Sequence, residues 1–560
     1  MSEWVASTSR GQAGLHQAGG AVGETNSSRQ TDPHAAAADR AAAIQSEFLQ
    51  AWQSLLAQAG RGALAPVPDR RFASDAWSGN PQALFSAHAY LIAARAMQQL
   101  ADAADVGDAA RARLRFAVMQ WTEAVAPSNF LASNPDALQA LLRSGGESLQ
   151  RGLANMARDL RRRRITQTDE SAFAPGENLA LTPGAVVYEN PLMQLIQYRP
   201  QGARVHQRPL LMVPPCINKY YILDLQPANS LVRHALQAGF QVYMVSWRNP
   251  RADDDDGIDT RTWDDYIEDG VLRAVQAVRD ISGQARINAL GFCVGGTLLA
   301  TALAVARARG QDPVAALTLL TTFLDFRDTG ILDVFVDEWH AQARDRQLGA
   351  GGLMTAGELA TTFSFLRPSE LVWNYVSANY LMGEAPRAFD LLAWNADGTN
   401  LPGPFFTWYF RNTYLENRLK SGQLHVCGQA VDLRTLDMPA YLYASRDDHI
   451  VPWGSAYAST LLLRGPLRFV LGESGHIAGV VNPPDRGRRG YWTGDGADLP
   501  SDPSEWLDGA VHASGSWWPD WLAWLAGHSG DLRRAPRSLG NREYPVLEPA
   551  PGRYVKVKAD

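Results

Sequence analysis

The run Ile287-Asn288-Ala289-Leu290-Gly291-Phe292-Cys293-Val294-Gly295-Gly296 constrains this chain more than any other segment. A short apolar stretch enters Gly-x-Cys-x-Gly, and an apolar helical stretch leaves from Gly296-Thr297-Leu298. This is the form of a nucleophile elbow, the strand-to-helix turn of an α/β sheet, with Cys where hydrolases usually carry Ser. Small residues must flank the nucleophile because such a turn is strained and tightly packed. The turn sets the side chain at a helix N-terminus, where the dipole favours a thiolate. The backbone N–H of Val294 would then be one oxyanion donor. By itself the match is equally compatible with a buried structural Cys in a strand-to-helix turn.

The surrounding pattern supports a sheet. Ala185–Tyr188 and Met193–Tyr198 read as two strands with a turn at Glu189-Asn190-Pro191. Short apolar runs follow at Pro209–Val213, Val242–Val245, Ile287–Leu290, Leu317–Leu320, Tyr441–Tyr443 and Phe469–Leu471, several separated by helical stretches. Strands alternating with helices predict a mostly parallel sheet covered on both faces. The gap between Leu320 and Tyr441 is far longer than a crossover needs. Residues from about 327 to 435, rich in Trp, Tyr and Phe, are therefore expected to be a cap insertion over the sheet.

Upstream, Ile44, Phe48, Leu49, Trp52, Leu55 and Leu56 fall on one helical face, and similar stripes run through Leu84–Leu100, Leu114–Val125 and Leu138–Leu160. Pro127-Ser128-Asn129 and Asn134-Pro135 punctuate them. Residues 1–38 are rich in Gly, Ser, Ala, Gln and Thr and read as a disordered tail. The expected organisation is that tail, a helical domain over 39–184 whose apolar faces pack on their own neighbours, and an α/β domain over 185–560.

Chain order sharpens the chemistry. An α/β-hydrolase presents nucleophile, then acid, then His. Tyr441-Leu442-Tyr443 runs into Ser445-Arg446-Asp447-Asp448-His449, and Phe469-Val470-Leu471 runs into Gly472-Glu473-Ser474-Gly475-His476. Both lie at C-terminal strand ends, where such sheets build their sites. His476, in a glycine-rich loop, is a poor core residue and a good base. Asp447 and Asp448 compete for the acid role, and spacing does not choose between them. His449 reads either as a supporting group behind the site or as a solvated turn residue. Leu211-Met212-Val213-Pro214-Pro215-Cys216-Ile217-Asn218 follows a strand where this architecture completes its oxyanion hole. Cys216 and Ile217 are pocket candidates there, though Cys216 equally suits a small apolar filler. Cys427 has no partner motif. Arg161–Arg164 suits either coenzyme A phosphates or a solvated helix end.

Four ordered blocks resemble the polyhydroxyalkanoate synthases. They are Pro214–Leu225, the Gly291–Gly296 elbow, Asp448-His449-Ile450-Val451-Pro452-Trp453 and Ser474-Gly475-His476-Ile477-Ala478-Gly479. Thr262-Trp263-Asp264-Asp265-Tyr266 and Trp394-Asn395-Ala396-Asp397 match as well, and the likeness runs from about Pro127 onward. The chain is most similar to the class I branch, which uses one type of subunit and short-chain substrates. The resemblance implies Cys293 as nucleophile, Asp448 as acid and His476 as base, and so selects Asp448 over Asp447. It implies an acyltransferase that takes (R)-3-hydroxyacyl-CoA and releases coenzyme A. It further implies a polyester product, a cytoplasmic homodimer at the surface of polymer granules, and no cofactor beyond the coenzyme A of the substrate. The stretch Arg251–Arg261, with its four aspartates Asp253–Asp256, looks longer than the family's loop here.

Composition narrows the alternatives. A net charge of −6 gives no electrostatic case for nucleic acid. The longest uncharged apolar stretch, Ala289–Ala306, barely reaches spanning length and carries the elbow glycines, so a membrane span is not expected. Three cysteines form no disulfide framework, and no secretory signal is visible, which points to a reducing compartment. No metal-ligand spacing or phosphate-binding glycine loop appears. Two rivals remain: an esterase or polyester depolymerase with the same triad, and a non-enzymatic coat protein of polymer granules.

Overall fold

The central strands are near-continuous apolar runs buried at every position, so both faces of the sheet are dry. A computed structural model describes residues 33–496 and 499–559. Eleven strands form the main sheet: β1 (Gly184–Glu189), β2 (Met193–Tyr198), β3 (Leu210–Val213), β4 (Val242–Trp247), β5 (Ile287–Phe292), β6 (Val314–Leu320), β7 (Ala440–Ser445), β8 (Leu467–Gly472), β9 (Gly490–Gly496), β10 (Val511–Ser514) and β11 (Glu548–Pro549). Their spatial order is β10-β9-β8-β7-β6-β5-β3-β4-β2-β1-β11. The six central strands, β4-β3-β5-β6-β7-β8, run parallel, and antiparallel strands flank them on both sides. The protein has an α/β-hydrolase fold with a preceding helical region.

Because side chains alternate along a strand, each central strand feeds two cores. Leu211, Val245, Ala289, Leu317, Leu442 and Phe469 point to one face, packed against the helices Arg273–Ser282 and Val294–Ala308. Met212, Met244, Leu290, Tyr441 and Val470 point to the other, against the helices Leu231–Gln237 and Trp518–Gly527. Every residue from Val294 to Ala306 is buried, which explains the long apolar stretch as a core strand, a turn and a core helix. Among the described residues no helix is long and apolar enough to cross a membrane.

Three features depart from the sequence reading. The helix Pro33–Gly60 begins inside the expected tail, since Ala35–Ala38 are strong helix formers behind a proline at the first turn; residues 1–32 of that tail lie outside the described residues. The single stripe Leu138–Leu160 is two helices, Pro135–Arg143 and Glu147–Arg162, because Gly145 and Gly146 take φ of +59° and +96°. The helical faces also pack incompletely: Leu142 is 78 % exposed and Leu160 70 %, while Leu49 and Leu56 are each half exposed. Asn134 caps the Pro135–Arg143 helix by accepting from the Ala137 N–H at 3.1 Å.

Between β6 and β7, residues 321–439 form a cap of short helices, turns and two small strand pairs, with α-helices over Glu338–Leu348, Ala356–Phe365, Asp390–Ala396, Gly403–Tyr409 and Arg418–Ser421. Trp263 anchors this cap to the sheet domain, stacking on Trp408 at 4.9 Å and Tyr409 at 5.2 Å between ring centres. The Thr262/Asp265 capping box fixes the turn that carries Trp263.

Candidate active site

Cys293 follows β5 as the cap of the next helix, with φ +52° and ψ −128°, a region an L-residue occupies only under constraint. The constraint is visible. Its N–H donates to the Leu320 carbonyl at 2.9 Å, and its own carbonyl accepts from the Gly296 N–H at 2.8 Å and the Thr322 hydroxyl at 3.3 Å. A methyl group on Gly295 would collide with the carbonyl oxygens of Val213 and Pro214, so the elbow and the Pro214–Ile217 loop are in direct contact. Val294 opens the following helix, where its N–H has no partner one turn back.

At the end of β8, the short helix His476–Val480 places His476 almost fully buried. Its Nδ1 donates to Asp448 Oδ2 at 2.6 Å, a length typical of a charge-assisted bond. Asp448 follows β7, and its Oδ1 accepts the N–H groups of Ile450 at 2.8 Å and Val451 at 2.9 Å. Those two donors aim the second oxygen at the imidazole. The ring also stacks on Phe292, 5.7 Å between centres, and lies within the electrostatic reach of Cys293. Burial opposes a charge on His476, but Asp448, the Cys293 sulfur and the bonds to both prevail and raise it from 6.5 to about 10.

The remaining candidates separate cleanly. Cys216 is buried in the loop beside the elbow, and burial pushes its thiol well up, followed by the influence of Cys293; it stays protonated. Ile217 follows it and gives its carbonyl to the Thr399 N–H of the cap at 2.8 Å. His449 is half-buried with Nδ1 unpartnered; burial first, then Arg367, push it down to about 4, so it is neutral beside Asp448 and His476. Asp447 is exposed, holds the His loop only through its backbone N–H to the Ser474 carbonyl (3.0 Å), and takes the cap residue Arg367 on its carbonyl (3.1 Å). Cys427 sits in a distant hairpin turn, where burial and then Asp264 and Glu268 push it up to about 12. Arg164 pairs with Glu170 at 2.6 Å at the end of its helix. Among the described residues no group of three or more His, Cys, Asp and Glu could hold a metal ion.

Two residues near the site were not singled out in the sequence. Tyr409 and Tyr414 of the cap both feel the Cys293 sulfur, and their rings lie 5.5 Å apart in an edge contact above the elbow. The aromatic richness of the insertion signalled a lid, but only the fold selects which rings reach the cysteine. The arrangement of a thiol at a strained turn, an imidazole aimed by a buried carboxylate, and an unpaired helix N–H is equipped for acyl transfer through a thioester.

Residues 68–235 match the family described as the N-terminus of poly-beta-hydroxybutyrate polymerase (PhaC), and residues 209–483 match the α/β hydrolase fold. The poly(3-hydroxyalkanoate) polymerase subunit PhaC of Cupriavidus necator is 58 % identical over 519 residues, covering 92 % of this chain and 87 % of that one. The chain belongs to the poly(3-hydroxyalkanoate) polymerase family. Further members are similar along most of their length. The PhaC subunit of Rhizobium meliloti is 39 % identical over 88 % of this chain and 80 % of its own. Polymerase 1 of Ectopseudomonas oleovorans is 40 % identical over 89 % and 88 %. The likeness to the Cupriavidus polymerase fits the class I branch, and the family is one of acyltransferases. Family blocks with no catalytic side chain have structural work here: Trp263 seats the cap, and Trp394 donates its indole N–H to the Lys219 carbonyl at 2.8 Å.

Proposed function

We propose that this polymerase joins short-chain (R)-3-hydroxyacyl-CoA units into polyester through an acyl-Cys293 intermediate. The observation that carries the mechanism is the buried 2.6 Å Asp448–His476 bond, with Cys293 acting on the same ring. His476 takes the Cys293 proton, and the sulfur attacks the thioester carbonyl. The oxyanion is held by the Val294 N–H and the Cys216–Ile217 backbone. The coenzyme A thiolate leaves with the proton from His476, exchanging one thioester for another, so the acyl group stays activated. A hydroxyl group deprotonated by His476 then attacks acyl-Cys293, forming an ester and restoring the thiol. Asp448 orients the ring through both steps, and neutral His449 lines the same pocket. Coenzyme A enters only as part of the substrate, and no metal or other cofactor takes part.

Water must lose this competition. A bound hydroxyl at an effective concentration of about 10⁵ M outcompetes water at about 55 M, and the Tyr409 and Tyr414 rings over the elbow support exclusion of solvent. The exposed leucines of the N-terminal helices, Leu142, Leu153 and Leu160, suit a polyester surface, in keeping with a homodimer on cytoplasmic granules.

Purified chain with 3-hydroxybutyryl-CoA tests the proposal when thiol, free 3-hydroxyacid and product size are followed together. Long insoluble ester with little free acid is expected, with a higher kcat/KM than for hydroxyoctanoyl-CoA. Free acid in proportion to thiol, without polymer, would make the chain a hydrolase; absence of thiol release would leave only a coat protein. Cys293→Ala should abolish thiol release, whereas Cys216→Ala and Cys427→Ala should retain it.

A further inference from the structure

Behind the oxyanion loop lies a cluster that the mechanism does not use. Lys219, two residues beyond Ile217, is 2 % exposed. A buried ammonium is costly unless it is paired and hydrogen-bonded. Its Nζ donates to the carbonyl of Val557, at 2.6 Å, on a segment more than 330 residues away in sequence. Its counter-charge is Asp397 of the cap base, which is itself buried. Asp397 Oδ2 accepts the Tyr221 hydroxyl at 2.8 Å and pairs with Lys558 Nζ at 3.4 Å, while Oδ1 is buried without a hydrogen-bond partner. Asp397 thus pairs with Lys558 and acts on Lys219 through its charge. Burial is the largest influence on Lys219, lowering it to about 8 against the pull of Asp397.

The same loop is gripped along its backbone. The Trp247 indole donates to the Pro214 carbonyl at 3.0 Å, the Thr399 N–H to the Ile217 carbonyl at 2.8 Å, and the Trp394 indole to the Lys219 carbonyl at 2.8 Å. Asn218 bridges to Gly398. Asn249, which accepts the Asn400 N–H at 2.9 Å, also donates to the Val557 carbonyl at 3.4 Å. Three separate segments therefore converge on four loop residues, Pro214, Ile217, Asn218 and Lys219. The Val555 side chain beneath Val557 is buried, so this segment is seated in the core and does not merely lie on the surface.

We propose that Lys219 is a positioning residue: bonded to the Val557 carbonyl and attracted by the Asp397 carboxylate, it holds the Pro214–Ile217 loop at the distance from the elbow that oxyanion stabilisation requires. Donors in such a hole must sit within a few tenths of an ångström, and the loss of one costs about 10²–10³ in rate. Loss of the clamp shifts the loop and does not remove it, so a smaller penalty follows. The inference rests on acylation of Cys293 as proposed above.

The test separates oxyanion chemistry from the reactivity of the thiol itself. Acylation by 3-hydroxybutyryl-CoA builds charge on a carbonyl oxygen, whereas alkylation of Cys293 by iodoacetamide builds none in the hole. Lys219→Met should lower kcat for thiol release about tenfold or more, leave KM within about twofold, and leave the alkylation rate as in the wild type. A chain stopped after Lys556, which lacks the Val557 acceptor and Lys558, should show the same selective loss and serves if Lys219→Met does not fold. Wild-type kcat in both variants would overturn the proposal. Equal slowing of acylation and alkylation would overturn it too, since that marks a general loss of structure. Failure of the Cys293 reading is recognised separately, by thiol release surviving in Cys293→Ala.

Discussion

Asp448 owes its role to two backbone donors. With Oδ1 occupied by the Ile450 and Val451 N–H groups, Oδ2 has one direction left, toward His476. Asp447, one residue earlier, turns its carboxylate to solvent. Asp448→Asn should therefore lower turnover by about 10² or more, since an amide cannot accept and orient in the same way, while Asp447→Asn should stay within about twofold of the wild type. Steady-state thiol release by the two variants decides this. The imidazole offers a second check at this scale. Its folded value is raised to about 10 from 6.5, so the stabilisation it contributes is complete below about pH 6.5 and is lost as pH rises through about 10. Two of the groups that raise it are contributions of Cys293. In Cys293→Ala the His476 titration midpoint, read from its imidazole NMR signal, should fall below the wild-type value, and the stabilising window should close from its alkaline end.

The elbow is an element whose strain is held by its neighbours. Cys293 keeps φ +52° because its peptide groups are tied to the end of β6 and to the first turn of its own helix. Gly295 lets that helix meet the oxyanion loop at the carbonyls of Val213 and Pro214. Gly295→Ala forces the two apart. It should destabilise the chain by about 1–3 kcal/mol, seen as a lower denaturant midpoint, and should lose most thiol release even where it is folded. The edge strands β9, β10 and β11 are elements of a different kind. β9 is interrupted by glycines and β10 and β11 are only four and two residues long, so little in their local sequence marks them; they are strands because β8, β9 and β1 offer unpaired edges.

Across the whole molecule, the helical region is joined to the cap. Asp159, buried at the end of the Glu147–Arg162 helix, accepts the Thr166 N–H at 2.9 Å, the Thr166 hydroxyl at 2.5 Å and the Tyr380 hydroxyl at 2.7 Å. Asn155 donates to the Asn379 carbonyl at 2.9 Å and the Glu384 carbonyl at 3.1 Å on the same cap segment. The cap in turn reaches the acid loop through Arg367. Asp159→Ala strands buried donors on both sides of this junction. It should cost about 1–3 kcal/mol in a denaturation experiment and open the chain to proteolysis near residues 163–183.

The central parallel strands, the elbow and the order of Cys293, Asp448 and His476 were legible in the sequence because each depends on short-range pattern: apolar runs, flanking glycines and strand-end loops. The N-terminal helices were legible as helices but not as surfaces, since periodicity shows which residues share a face and not whether anything covers it; Leu142 and Leu160 remain exposed. The physical grounds for Asp448 over Asp447, the neutral state of His449, the rings above Cys293 and the Lys219–Val557 clamp all required the folded chain. Each is set by groups far apart in sequence, and hydrogen-bond direction, burial and charge pairing at such distances are properties that only the tertiary structure decides.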